Sequence, residues 1–330
     1  MTMKNEIQNP YLLEVKNLKK YFPLKDNLLN GTQRLVRSVD DVSFYLQEGE
    51  TLGLVGESGC GKSTTARAVL RLVEPTDGKV FYRGKDLSQF SQKELRNLRS
   101  QMQIIFQDSF ASLNPRKKIG QILQEPFDIH GLKDKKEIPE RVTGLLRKVG
   151  LSPDHISRYP HEFSGGQLQR IGIARAIALN PSFIVADEPV SSLDVSIRAQ
   201  VINLLLDLKD SLGISYLFIS HDMAVIKYFS DRVAVMYLGK IVELAESEQL
   251  YNSPRHPYTE ALFAAIPTIE SGSKKEPLLV KGDLPDAADP PKGCAFHTRC
   301  PIKEKRCEES IPELQETAPG HFIACFLRSS

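Results

Sequence analysis

Nine consecutive residues, Gly56-Glu57-Ser58-Gly59-Cys60-Gly61-Lys62-Ser63-Thr64, constrain what this chain can fold into more than any other stretch. An apolar run, Thr51 to Val55, leads into them, and a helix-forming segment, Thr65 to Val73, leads out. The order is strand, glycine-rich turn, helix. Glycines let the backbone wrap closely around an anion, so that successive N–H groups point at phosphate oxygens. The start of the following helix adds partial positive charge at the same place. Lys62 has the reach for β- and γ-phosphates, and the Ser63 hydroxyl is placed to ligate Mg²⁺. A glycine-rich turn carrying a surface lysine is the plain alternative, but it does not call for every fixed position to be filled in this context. The stretch therefore predicts binding of a nucleoside triphosphate.

A length of 330 residues accommodates one large α/β domain and something smaller. A net charge of +2 argues against a partner held by phosphate attraction, since no strongly basic domain stands out. Met1 to Pro10 is polar and lacks the apolar core of a signal peptide. No run reaches the roughly 20 apolar residues that span a bilayer. A role at a membrane would then require docking onto another subunit. Five cysteines in a chain of this kind point to metal binding or catalysis sooner than to disulfides.

Taken in order, Leu12 to Phe22 reads as a strand, Pro23 to Arg37 as a polar loop, and Val39 to Tyr45 as a second strand ending at the turn Glu48-Gly49-Glu50. Either Tyr21 or Phe22 can stack on a base, and burial in a small sheet explains an aromatic there equally well. Lys79 to Tyr82 and Gln101 to Phe106 read as strands, the second stopping at Gln107. From Asp108 to Phe163 strand signals vanish. Helical segments, Ile119 to Phe127 and Glu137 to Val149, alternate with loops punctuated by proline and glycine, as in a helical insertion. Ser164-Gly165-Gly166-Gln167 then opens a helix to Asn180, stopped by Pro181. Phe183 to Ala186 is an apolar strand ending in Asp187-Glu188, and Tyr216 to Ile219 is another, followed by Ser220 and His221. Apolar runs thus end at Gly56, Gln107, Asp187-Glu188 and His221. That is how buried parallel strands read, and ligand-binding groups gather at their carboxyl ends. Arg232 to Leu238 and Ile241 to Leu244 flank Gly239-Lys240 as a hairpin. Half of the 20 prolines fall in the last 79 residues, so this tail stands outside the parallel sheet, with a boundary near Ser253.

Across Leu12 to roughly Asn252 the chain resembles the ATP-binding subunits of ABC transporters. Gly56 to Ser63 matches the family's first nucleotide motif, Phe183 to Glu188 the second, and Ser164 to Gln167 its signature, here preceded by Phe163 where Leu is usual. Gln107 falls at the lid glutamine, Ser192-Leu193-Asp194 at the loop after the second motif, and His221 at the switch histidine. The implied fold is the α/β P-loop NTPase nucleotide-binding domain, a RecA-like core with an antiparallel β subdomain and a helical subdomain. Residues 11–252 would form it, with the helical part at about 108–180, and residues 253–330 would form a small cysteine-bearing extension. Tyr159 to Phe163, Phe106 to Pro115, His256-Pro257-Tyr258-Thr259 and the tail resemble the dipeptide/oligopeptide importer branch, and within it the second of two non-identical ATPase subunits, labelled F.

Phosphoryl transfer to water needs charge neutralisation, an aligned water and a group that orients it. Lys62 and Mg²⁺ meet the first need. In the roles the resemblance implies, Ser63, Gln107 and Asp187 attend the Mg²⁺, Glu188 polarises the attacking water, and His221 contacts the γ-phosphate. Glu57, Ser58, Gly59, Cys60, Gly61 and Thr64 complete the phosphate loop, and Phe22 aligns with the family's base-stacking aromatic. ATP is favoured over GTP, because no Asn-Lys-x-Asp guanine-reading sequence occurs. Ser164, Gly165, Gly166 and Gln167 open a helix and so form a second phosphate-binding loop. The resemblance implies that they act, with Asp194, on ATP held by another subunit, in a head-to-tail pair. Ser109 to Asn114 is the candidate contact with a membrane partner, or else core of the insertion.

Cys294, Cys300, Cys307 and Cys325 follow a C-x5-C-x6-C-x17-C spacing. Four thiolates suit zinc or a [4Fe–4S] cluster, and the tight pairs usual for zinc are missing. The branch resemblance implies the cluster, with zinc or free thiols as alternatives. Nothing in the sequence places this segment near the nucleotide. The partners implied are a paralogous ATPase, two integral membrane permeases and an extracytoplasmic binding protein, at the cytoplasmic face of the membrane. Other readings are an importer of nickel or another small solute, a non-transport ABC ATPase, and a soluble scaffold using ATP as a switch.

Overall fold

A computed structural model of the chain describes residues 10–24, 34–131, 135–264 and 282–328. The polar start, Met1 to Asn9, and most of the polar loop read between Pro23 and Arg37 lie outside the described residues. Among the described residues the strands are, in chain order, β1 (Leu13–Pro23), β2 (Leu35–Leu46), β3 (Thr51–Val55), β4 (Asp77–Tyr82), β5 (Lys85–Asp86), β6 (Met102–Ile105), β7 (Phe183–Asp187), β8 (Ser215–Ile219), β9 (Arg232–Tyr237), β10 (Lys240–Glu246), β11 (Gln315–Ala318) and β12 (His321–Ile323). They fall in two compact units, one of residues 1–47, 51–88 and 220–330, the other of residues 48–50 and 89–219.

The first unit holds an antiparallel sheet in the order β2-β1-β4-β5. β1 and β2 pair from Leu13↔Leu46 to Pro23↔Leu35. Period-2 alternation buries Leu13 and Val15 on β1 and Val42, Phe44 and Leu46 on β2. β2 starts at Leu35, four residues before the expected start, because Leu35, Val36 and Arg37 still find partners on β1. The same unit holds the strand order β11-β12-β10-β9-β3. β3 runs parallel to β9, and all five of its residues are buried. The helix after it is Lys62–Val69, shorter and earlier than Thr65 to Val73. It starts at Lys62 because Gly61, at φ 111°, is its N-cap, and it stops before Arg71, which turns to φ 52°.

β9 and β10 form the expected hairpin across Leu238-Gly239. The tail does not stay apart from it: β12 pairs antiparallel with β10 through Glu243↔Ile323 and Leu244↔Phe322. A buried polar centre fixes that junction. Glu243 Oε1 lies 2.7 Å from His321 Nε2, with both side chains at most 1% exposed. The same carboxylate accepts from the Arg255 N–H at 2.8 Å and the His256 N–H at 3.0 Å. A carboxylate this deep requires such partners.

The second unit is built on the parallel order β8-β7-β6, with registers Phe183↔Ser215 to Asp187↔Ile219 and Met102↔Phe183 to Ile105↔Ala186. β7 and β8 are buried throughout, which explains their unbroken apolar reading. The expected insertion is helical: Ser109–Ser112, Ile119–His130, Ile138–Lys148 and Gly165–Ile177. The last of these ends three residues earlier than expected, and Asn180, at φ 50°, makes the turn into Pro181. An unforeseen helix, Val195–Leu212, buries Val201, Ile202, Leu204, Leu205 and Leu208 on one stripe.

Candidate active site

In the first unit β3 delivers the chain into the phosphate loop. A Cβ on Gly61 would sit 2.0 Å from the Ser38 carbonyl oxygen, and its φ of 111° already excludes most side chains, so glycine is obligatory there. Lys62 is 5% exposed, and its Nζ donates to the carbonyls of Gly56 at 2.8 Å and Glu57 at 2.9 Å. The cation is thus folded back onto the carbonyls of its own loop. Cys60 is buried, and burial raises its thiol pKa, so it is an inert packing residue here. Ser63 and Thr64 occupy the first turn of the helix.

His221 lies exposed between β8 and the helix Met223–Phe229, whose N-cap is Asp222. Asp222 accepts from the Ala224 N–H at 3.0 Å, and its own N–H donates to Ser220 Oγ at 3.0 Å. These bonds fix the turn that carries the imidazole. Tyr21 and Phe22 differ in their partners. The Tyr21 hydroxyl donates to Asp40, which also pairs with Lys240 at 2.9 Å, whereas Phe22 is 37% exposed. Phe22 is the more exposed ring, with Lys20 Nζ 4.9 Å from its centre.

In the second unit Asp187 ends β7 and is 3% exposed, with Glu188 directly after it. Glu188 adopts φ 49°, a left-handed backbone uncommon for a side chain of this size. Gln107 Nε2 donates to Glu188 Oε2 at 3.1 Å, so the glutamine at the lid position and the carboxylate that ends the second motif meet. The Glu188 N–H donates to the Ile219 carbonyl at 3.0 Å, which ties this turn to β8. The Glu188 carbonyl accepts from Ser191 Oγ at 3.1 Å, which closes the turn.

The second glycine-rich loop is likewise well formed. Ser164 caps the helix Gly165–Ile177, its Oγ accepting from the Gln167 N–H at 3.4 Å while Gln167 Oε1 accepts from the Ser164 N–H at 3.1 Å. A Cβ on Gly166 would come within 2.4 Å of Ile197 Cγ2, on the helix capped by Asp194. The adjacent glycines are thus explained in part by packing. Asp194 accepts from the Ile197 N–H at 3.0 Å, and this bond, with that from Ser196, holds its carboxyl pKa down. Arg175, on the signature helix, donates to the Ser112 carbonyl at 2.6 Å. Ser109 to Asn114 divides between the two roles open for it: Leu113 is 2% exposed and belongs to the core, while Phe110 is 54% exposed.

Among the described residues Cys294, Cys300, Cys307 and Cys325 form no disulfide, and Cys300, Cys307 and Cys325 lie within electrostatic reach of Cys294. Burial pushes Cys294 up to about 11 and raises Cys300 and Cys325 as well. Metal ligation requires thiolates in a defined geometry. Among the described residues no three His, Cys, Asp or Glu side chains are arranged to hold a metal ion. The expected [4Fe–4S] site is therefore not supported by this arrangement. A second expectation also needs correction. Arg299, next to Cys300, bonds to Glu57 of the phosphate loop at 3.0 Å, so the tail does reach the nucleotide motif.

Comparison with known proteins follows the same lines. A family described as "ABC transporter" matches residues 39–191, and one described as "Oligopeptide/dipeptide transporter, C-terminal region" matches residues 242–307. The oligopeptide transport ATP-binding protein AppF of Bacillus subtilis is 54% identical over 321 residues, covering 96% of this chain and 98% of its own. The chain belongs to the ABC transporter ATPases. A putative peptide import ATP-binding protein of Brucella ovis is 53% identical, covering 95% of this chain and 97% of its own. Among solved structures, the ATP-binding cassette MJ0796 as a dimer in a post-hydrolysis state, bound to ADP and Pi, superposes with a TM-score of 0.63 at 26% identity, over 71% of this chain and 98% of that one. As an ABC ATPase the chain hydrolyses ATP. Among its described residues no helix is long and apolar enough to cross a membrane.

Proposed function

We propose that this ABC ATPase is the second, F-type ATP-hydrolysing subunit of an importer for di- or oligopeptides, docked at the cytoplasmic face of the membrane. It would work with a paralogous ATPase, two permeases and an extracytoplasmic binding protein. The observation that carries the reading is the match of residues 242–307 to the oligopeptide/dipeptide transporter C-terminal region, a segment whose following residues pair with β10. The names of the similar Bacillus and Brucella proteins support it.

In this reading the phosphate loop, Gly56 to Thr64, takes the β- and γ-phosphates, and Lys62 turns from the loop carbonyls onto them. Ser63, Asp187 and Gln107 hold Mg²⁺, which when bound neutralises phosphate charge. Glu188 accepts a proton from the attacking water. His221 contacts the γ-phosphate, Phe22 stacks on adenine, and Ser164 to Gln167 with Asp194 serve the ATP of the companion ATPase. The exposed Phe110, on the segment bonded to the signature helix, carries closure to a permease.

Reconstitution of the full assembly in lipid vesicles tests this. Peptide-loaded binding protein is expected to stimulate ATP hydrolysis several-fold, as coupled motors require a differential interaction between states. Stimulation by nickel or another solute and none by any peptide would remove the peptide reading and leave the ATPase intact. The [4Fe–4S] reading of Cys294, Cys300, Cys307 and Cys325 rests on resemblance and on the shared electrostatic neighbourhood of the thiols. Anaerobically purified chain is expected to carry about four irons and absorb near 400 nm (roughly, for a four-thiolate cluster). Stoichiometric zinc, or no metal, would sink it.

A further inference from the structure

Glu57, the second residue of the phosphate loop, is held at its side chain, its N–H and its carbonyl. Arg299 Nη1 donates to Glu57 Oε1 at 3.0 Å and to Oε2 at 3.1 Å. The Glu57 N–H donates to the Tyr258 hydroxyl at 2.9 Å, and its carbonyl accepts from Lys62 Nζ at 2.9 Å. Two of these partners come from the chain beyond residue 252. Tyr258 belongs to the helix Pro257–Ala264, and Arg299 to the cysteine-bearing tail.

The partners are themselves rigid. Tyr237, Tyr258 and Phe296 pack as one aromatic cluster with ring centres 4.7, 5.2 and 5.5 Å apart. Phe296 is 1% exposed and lies between Cys294 and Arg299 in sequence. The Arg299 guanidinium stands 5.7 Å from the ring centre of Tyr237, whose hydroxyl is 3.4 Å from Nη1. The Arg299 side chain is 8% exposed and Glu57's is 31% exposed. A surface ion pair between flexible chains contributes little. Here the guanidinium is enclosed by an aromatic wall and one nitrogen, Nη1, spans both oxygens of the carboxylate, a charge-assisted contact though not a two-nitrogen fork, while Nε is buried without a hydrogen-bond partner among the described residues.

The consequence lies in the loop. Its N–H groups bind phosphate only in one backbone arrangement, and one of the two residues whose carbonyls hold Lys62 in the structure is the one that the tail grips. Holding Glu57 removes loop states that would otherwise have to be frozen when ATP binds, and such preorganisation is gained as affinity.

We propose that Arg299 is a positioning residue of the nucleotide site: it fixes Glu57 and, with Tyr258, sets the shape of the phosphate loop, so that the cysteine-bearing segment is built into the affinity for ATP. The inference rests on the reading of Gly56 to Thr64 as the triphosphate site, and the controls separate the two.

The test uses the full chain, with MgATP affinity measured by calorimetry and KM and kcat measured in the reconstituted assembly. Arg299→Ala is expected to weaken MgATP binding about tenfold, the scale of one charge-assisted pair lost from a half-buried site. The loss should appear mainly in KM, and Arg299→Lys should restore part of it. Tyr258→Phe keeps the ring packing and should cost about threefold, as for one neutral hydrogen bond. In a Glu57→Gln background, Arg299→Ala should cost little further, since the two residues act as a unit. Thermal melts identify any variant that fails to fold, and Arg299→Lys and Tyr258→Phe carry the test if Arg299→Ala does. Wild-type affinity in these variants, with Lys62→Ala inactive in binding, overturns the inference alone. So does a full Arg299→Ala loss that persists in the Glu57→Gln background. Normal MgATP binding by Lys62→Ala overturns the triphosphate-site reading, and the inference with it.

Discussion

Glu188→Gln is expected to bind MgATP as the unchanged protein does and to hydrolyse it roughly 10²–10⁴-fold more slowly, the range attributed to a positioned general base. The carboxylate follows the buried Asp187 at the end of β7 and sits at φ 49°. Its side chain reaches Gln107 Nε2 at 3.1 Å, and its N–H is bonded to the Ile219 carbonyl. The backbone is thus over-determined by the turn, and glutamine meets the same left-handed φ as glutamate does, so the fold should not change. Only the basicity of one oxygen is lost. Glutamine cannot accept a proton from water, yet it still offers an oxygen to Gln107. The prediction separates two quantities: equilibrium binding of MgATP should stay within about twofold, while the single-turnover rate collapses, the pattern of a group that acts only in the transition state. A variant that turns over normally in the assembled transporter would remove Glu188 from the role of base. A variant that loses binding would instead make it a ligand of the ground state.

The candidate residues for this chemistry at Gly56, Gln107, Asp187-Glu188 and His221 were legible as candidates because they lie at or just past strand ends, and strand ends are written in the sequence as apolar runs broken by a reactive side chain. The run before Gly56 is β3, and the run before Asp187-Glu188 is β7. What could not be read was anything that depends on register or on distant pairing. Successive strand residues face opposite ways, so Tyr21 and Phe22 were equivalent until β1 paired with β2 and brought Asp40 to the Tyr21 hydroxyl. The left-handed φ of Glu188 has no signal in residue type, since glutamate is not a residue that turns need. The tail read as irregular because β11 and β12 are four and three residues long, below the length at which alternation is visible. Arg299 and Glu57 are separated by 242 residues, and each alone is an ordinary surface charge. The cysteine spacing was visible and the stoichiometry right for a cluster, but spacing carries no information on whether buried thiols point at one another. The helix Val195–Leu212 was the opposite case. Its apolar stripe, Val201, Leu204, Leu205 and Leu208, stood in the sequence at helical intervals and was simply overshadowed by the motif before it.

Ser164→Arg should leave MgATP binding to the subunit unchanged and abolish turnover of the assembly, falling at least about 10²-fold, as for removal of a preorganised charge-stabilising group. The argument starts from what serine does in the structure. Its Oγ caps Gly165–Ile177 through the Gln167 N–H at 3.4 Å, a long bond whose loss costs on the order of 1 kcal/mol. That is too little to unfold a helix that buries Leu168, Ile171, Ile173, Ala174 and Ile177. Ser164 and Gly165 are exposed, so an arginine is accommodated without a clash inside the subunit. What changes is the open helix start. Its unpaired N–H groups and partial positive charge suit a phosphate, and a long cation projecting from the cap blocks approach of another chain to that surface. The subunit's own phosphate loop follows β3 and opens its own helix at Lys62, so binding and turnover should part company. Equilibrium binding on the purified subunit and ATP hydrolysis by the reconstituted complex measure the two separately. Normal hydrolysis by the Ser164→Arg assembly would mean that the adjacent glycines are only a packing device against Ile197, and the head-to-tail arrangement of two ATPase subunits around nucleotide would have to be given up.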